Sequence, residues 1–130
     1  QRQGERTSCW SHGIQDALVL KAVQAMHDDC APAWTLDKLA QHAGLSRTSL
    51  AERFRESMGN TPLNYLRTVR MQKAMAALSE SERSLEQIAR EVGYTDAFSF
   101  SKVFKRTVGT APRDFRRQDT EDKSLAWRIG

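Results

Sequence analysis

Two pairs of side chains have the types and spacing that hold zinc, Cys9-x-x-His12 and His27-x-x-Cys30, since closely spaced thiolate and imidazole donors can share one tetrahedral ion. Their surroundings argue against the ion. Cys9 and His12 fall in a polar, irregular leader, and His27 and Cys30 fall at a helix end where both can simply pack. No metal and no cofactor is expected. The chain also lacks a hydrolase elbow, a phosphate loop and a paired-carboxylate arrangement, and its histidines have no sequence partner that would complete a triad. Catalysis is therefore not the expected activity. A different chemistry is offered by GYTDAFSFSKVFKR, residues 93 to 106, where Lys102, Lys105 and Arg106 are interleaved with Phe98, Phe100 and Phe104. Cations attract a polyanion such as nucleic acid, and an exposed ring can touch the apolar edges of its bases.

Such side chains act only if an element aims them. Phe98 and Phe100 are two positions apart, and at about 100° per residue their rings point to nearly opposite sides of a helix. Phe100, Val103 and Phe104 form the stripe expected to face the core. That leaves Phe98, Ser101, Lys102 and Lys105, spaced i, i+3, i+4 and i+7, on the other side. The same reasoning applied to residues 47–58 places Leu50, Phe54 and Met58 inside. Thr48, Glu52 and Arg55 then face outward, with Arg47 and Ala51 beside them.

Apolar residues recur at i, i+3 and i+4 through the long segments between the few glycines and prolines, which argues for helices throughout. The expected fold is all-α, with about seven helices at roughly 16–28, 36–43, 47–58, 62–79, 85–92, 97–108 and 112–117. Thr35 and Ser46 can cap the second and third, Pro62 suits a first helical position, and Ser84-x-x-Gln87 is a capping box. Gly44, Gly59, Gly93 and Gly109 fall where helices should stop.

Sliding the chain against itself shows a repeat. Leu36, Leu39, Ala40 and Gly44 return as Leu85, Ile88, Ala89 and Gly93, an offset of 49. After one inserted residue the offset is 50, and Leu50, Phe54, Gly59, Pro62 and Tyr65 return as Phe100, Phe104, Gly109, Pro112 and Phe115. Each copy reads as helix, glycine turn, helix: a helix-turn-helix made twice. Between the copies, Leu63, Leu66, Val69, Met71, Ala74 and Leu78 mark one long amphipathic helix. At about 1.5 Å per residue it spans roughly 27 Å, of the order of the ~34 Å between successive major grooves on one face of DNA.

The net charge of +4 is unevenly spread: residues 34–117 hold 15 Lys/Arg against 9 Asp/Glu, while the segments on either side are each acidic by one. A basic middle again points to a polyanion. No run is apolar enough for a membrane span and the start lacks a signal peptide's apolar stretch, so no membrane is expected. Two cysteines are too few for a disulfide scaffold, which makes a reducing cytoplasm the expected location.

The stretches WTLDKLAQHAGLSRTSLAERFRESMGNTPLNYLRTVRMQKAMAAL and SLEQIAREVGYTDAFSFSKVFKRTVGTAPRDFRR resemble the DNA-binding region of the AraC/XylS family of bacterial transcription regulators, over about residues 16–117. The resemblance implies a leader at 1–15, a first helix-turn-helix lobe at 16–60, a linker helix at 61–80, a second lobe at 81–117 and a tail at 118–130. It implies double-stranded DNA as partner, with two recognition helices in adjacent major grooves and RNA polymerase recruited or obstructed by a regulator that is more often an activator. The segment DALVLKAVQAMHDDCAPAWTL looks like the lead-in of members that carry an N-terminal sensor domain. The chain begins at Gln1, so such a domain ahead of it is an expectation, although stand-alone members exist.

By the same resemblance and the helix faces above, Thr48, Ala51, Glu52, Phe98, Ser101 and Lys102 are the candidate base contacts. Threonine can touch a thymine methyl, glutamate can accept from cytosine N4, and lysine can reach a guanine edge. Ser46, Arg47, Ser49, Arg55, Ser99, Lys105, Arg106 and Arg113 are the candidate backbone contacts, several of them near helix N-termini that favour anions. Arg116 and Arg117 are further possible phosphate contacts, and Arg70 is expected in an internal ion pair. The competing class is a helical protein-interaction module that does not bind DNA.

Overall fold

The computed structural model describes residues 15–118 and, among them, seven helices and no strand. They are α1 (Ala17–Asp28), α2 (Leu36–Ala43), α3 (Arg47–Met58), α4 (Pro62–Glu80), α5 (Leu85–Glu91) and α6 (Ala97–Val108), followed by α7 at 112–118. The starts of α1 to α6 are each set by a short polar side chain that takes over a backbone amide left without a helical partner. The carboxylate of Asp16 accepts from the amides of Leu18 and Val19 at 3.0 and 3.3 Å. Thr35 accepts from Lys38, Ser46 from Ser49 and Thr61 from Asn64 at 3.1 to 3.2 Å. At α5 the box is reciprocal: the Ser84 hydroxyl accepts from the Gln87 amide at 3.1 Å, and the Gln87 carbonyl accepts from the Ser84 amide at 3.0 Å.

The chain divides into two compact units. The first comprises α1, α2, α3 and the opening turn of α4 through Leu66, and the second begins at Arg67 and takes in residues 31–33 as well. In the first, Val19, Val23, Met26, Leu39, Leu50 and Phe54 are fully buried, and the Tyr65 ring meets Phe54 edge-on at 5.7 Å. In the second, Val69, Met71, Ala74, Leu78, Ile88, Phe100 and Phe104 are buried. A chain of rings, Tyr94 to Phe100 to Phe104 to Phe115, runs through it with centroids 5.6 to 5.9 Å apart.

Among the described residues four glycines take a positive φ, Gly44, Gly59, Gly93 and Gly109, and two of them show what it is for. Gly44 ends α2 at φ +78, which makes the tight turn into α3. Gly93, at φ +100, also lets the Arg70 guanidinium lie so close that a Cβ would stand 2.9 Å from it. Arg70 donates to the Pro32 carbonyl at 2.9 Å and sits 5.5 Å from the centre of the Tyr94 ring. Both of these contacts lie within the second unit.

Three expected core positions are not core. Leu63 is 44% exposed, because Pro62 and Leu66, four residues apart, take the buried line of α4 and put Leu63 about 100° from Pro62. Met58 is half-buried: an i, i+4, i+8 series drifts by about 80° from its first member. Val103 lies at the edge of the Phe100–Phe104 stripe and is also half-buried.

Candidate nucleic-acid interface

Helix α3 is rolled into place by Leu50 and Phe54, both 0% exposed. Thr48, Glu52 and Arg55 are in consequence exposed and Ala51 is half-buried beside them. Ser46, exposed, and Ser49, half-buried, form the cap at the start of the helix. Arg47 reaches Asp37 at 3.5 Å with both side chains largely in water, a pairing of small energy.

The roll of α3 has a second determinant. Arg53 grips Asp16 in a two-pronged contact, Nε to Oδ2 at 2.8 Å and Nη2 to Oδ1 at 3.2 Å, while the same carboxylate caps α1. Hydrogen bonding from Arg53, helped by the Val19 and Leu18 amides and opposed by burial, holds the Asp16 carboxyl below its ordinary value.

In α6, Phe100 and Phe104 are 0% exposed and Phe98 is 73% exposed. The Lys102 ammonium lies 5.1 Å from the centre of the Phe98 ring, a cation held over an aromatic face four residues away on the helix. Phe98, Ser101, Lys102, Lys105 and Arg106 line one shallow groove with Ala111, and its walls are mainly the apolar parts of these side chains. Five of the residues singled out from sequence are thus gathered at one place. No Asp or Glu occurs within α6. The nearest along the chain is Asp96, whose carboxyl is held below its ordinary value by the Ser99 amide, at 2.7 Å, and the Ser99 hydroxyl. Ser99 is half-buried, and Arg113 is exposed at the start of α7 outside the groove lining.

Two arginines have roles that the sequence reading did not assign. Arg116, expected as a phosphate contact, donates to the carbonyls of Leu78, Ser81 and Arg83 at 3.1, 3.2 and 2.8 Å. It closes the end of α4, where helical carbonyls lack partners. Arg117 turns to Asp114 at 3.1 Å. Arg53 is the other. A signal for both exists in the repeat: Arg53 matches Val103 and Arg116 matches Leu66, so each arginine stands where the other copy places an apolar side chain against the fold.

Of the residues with zinc-ligand types, Cys9 and His12 lie outside the described residues. His27 Nε2 is 2.8 Å from the Tyr65 hydroxyl and Cys30 is buried. No group of three or more His, Cys, Asp or Glu stands ready for a metal among the described residues. No helix there is long and apolar enough to cross a membrane.

The profile of a family described as Helix-turn-helix domain matches residues 39–118. A Streptomyces lividans protein described as an AraC-like transcription regulator is 38% identical over 120 residues, which cover 92% of this chain and 40% of that one. The Escherichia coli transcriptional activator RclR is 38% identical over 96 residues, 74% of this chain and 34% of its own. The chain thus spans about two fifths or less of the length of these relatives. Among solved structures, the C-terminal domain of AraT from Geobacillus stearothermophilus superposes with a TM-score of 0.76 at 28% identity, covering 79% of this chain and 86% of that one. The DNA-binding domain of AdpA, solved with a target DNA, gives 0.72 at 27% identity, covering 79% and 92%.

Proposed function

This chain belongs to the AraC-type helix-turn-helix family of DNA-binding transcription regulators, and we propose that it reads a two-part operator, with α3 in one major groove and α6 in another. The observation that carries this reading is the α6 groove. An exposed ring, two lysines and an arginine converge there on a helix whose opposite stripe is fully buried, and no folding role accounts for a Phe98 left 73% in water.

In this reading Thr48, Ala51 and Glu52 meet base edges in the first half-site, Glu52 accepting from cytosine N4 and Thr48 touching a thymine methyl. Phe98, Ser101 and Lys102 do so in the second, with the ring against thymine methyls and the ammonium at guanine O6 or N7. Ser46, Arg47, Ser49, Arg55, Ser99, Lys105, Arg106 and Arg113 serve phosphates and set the register. The regulator acts in the cytoplasm, alongside a sensor domain, and recruits RNA polymerase as an activator. The named activator among its relatives supports that last point.

Selection of bound sequences from a random duplex pool tests the proposal and yields the operator. Binding should weaken steeply with salt, and a hydroxyl-radical footprint should show two protected patches centred about 10 bp apart. A single patch would mean that one recognition helix stays off the DNA. Failure to bind any duplex at low salt would leave the protein-interaction module as the better account.

A further inference from the structure

The two units share a frame but not a surface charge. Glu52, Glu56 and Leu63 stand at the positions that Lys102, Arg106 and Arg113 take in the second unit, and all six side chains are exposed. Those three positions alone differ by five formal charges. The extra cations of α3 are already matched, Arg53 by Asp16 at 2.8 Å and Arg47 by Asp37 at 3.5 Å. Arg55 has its counterpart in Lys105. In the second unit the acidic residues nearest these cations in sequence are occupied as well, Asp96 by the Ser99 amide and Asp114 by Arg117.

Each phosphate neutralised by a lysine or arginine releases condensed counterions and adds about 0.9 to the slope of log affinity against log salt. A carboxylate turned toward the backbone acts in the opposite direction. We propose that the units divide DNA binding between them. The second holds the phosphate backbone of any duplex through Lys105, Arg106 and Arg113, joined by Lys102 wherever no guanine stands for it to read, and the first, with Glu52 and Glu56 repelling phosphates, engages only where its base contacts are matched. This rests on the DNA-binding reading above and deepens it: non-specific hold is placed in the second unit, and discrimination against wrong sites in the first.

The test uses the whole chain, a short random-sequence duplex and the duplex recovered by selection, each titrated with salt. Lys102→Gln with Arg106→Gln should lower random-duplex affinity by about tenfold or more at 0.1 M salt and reduce the slope by about two units. Arg47→Gln with Arg55→Gln should reduce the random-duplex slope by less than half as much, and should weaken the selected duplex more than the random one. Glu52→Gln with Glu56→Gln should strengthen random-duplex binding by about threefold or more and narrow the gap between the two duplexes. All the changed side chains except Arg47 lack a described charge partner, and an unaltered melting temperature excludes unfolding as the cause. Equal losses of slope from the α3 and α6 pairs would overturn the division while leaving DNA binding intact. An unmutated chain that binds neither duplex would overturn both.

Discussion

Residues 49–62 and 99–112 run through the same order of buried, half-buried and exposed positions, residue for residue. The rings behind them are also placed alike, with Phe54 and Tyr65 at 5.7 Å and 63°, and Phe104 and Phe115 at 5.7 Å and 72°. Outward, the copies part company: Thr48 faces Phe98 across the repeat, Ala51 faces Ser101, and Glu52 faces Lys102. The inward side chains are held by one packing problem that each unit must solve in the same way. The outward ones answer to a partner, and two different half-sites ask for different chemistry.

The largest expected effects test whether the inward halves are energetically alike. Phe54→Ala and Phe104→Ala, both at fully buried twin positions, should each cost about 3–5 kcal/mol of stability. Chemical denaturation measures this, and a cost under about 1 kcal/mol at one of them would end the equivalence. The outward halves should behave in the reverse manner. Phe98→Ala should weaken the selected duplex by about 1–3 kcal/mol, the worth of a good base contact, and change stability by only about 0.5 kcal/mol. A variant that melts far below the parent with its affinity per folded molecule intact would return that ring to the core.

Next in size is a contact that only the first unit has. Arg53→Ala should cost about 1–2 kcal/mol, a charged hydrogen-bonded pair discounted for its partial exposure. It should also alter the acid limb of stability. The folded-state pKa of Asp16 is depressed, so its contribution is complete above the ordinary aspartate value near pH 4 and is lost as pH falls through the lower folded value. Stability of the parent should therefore fall between about pH 5 and pH 2 more steeply than that of the Arg53 variant. Parallel pH profiles would mean that the carboxylate owes its depressed value to the α1 amides alone.

The smallest difference lies in the caps. Ser84→Ala removes a reciprocal box, whereas Thr35→Ala, at the matching position, removes one acceptor bond. Both should cost about 1 kcal/mol, with Ser84 the costlier in thermal melts. The opposite order would show that the Gln87 half of the box adds nothing to stability.

The helices, the caps at Thr35, Ser46 and Ser84, and the buried faces of α3 and α6 were legible in the sequence because they rest on short-range rules. A cap acts within three residues, a glycine turn within one, and the 3.6-residue period shows which side of a short helix is apolar. The same period, with no structure at hand, separates Phe98 from Phe100. The repeat then doubled every such signal, since each feature in one copy could be checked in the other.

What local rules could not decide is which element, if any, lies against a given side chain. Leu63 belongs to an apolar stripe by spacing, yet it is exposed because Pro62 and Leu66 take the buried line of α4. Arg53 reads only as part of the basic middle of the chain, and Arg116 as a possible phosphate contact. Their partners lie 37 residues away at Asp16 and up to 38 residues away at the carbonyls closing α4. Charge and helix period depend on the residue and its near neighbours, so the chain alone determined them. Whether a guanidinium meets a phosphate, a carboxylate or a helix end depends on segments brought together by burying apolar surface, and only the tertiary structure decided that.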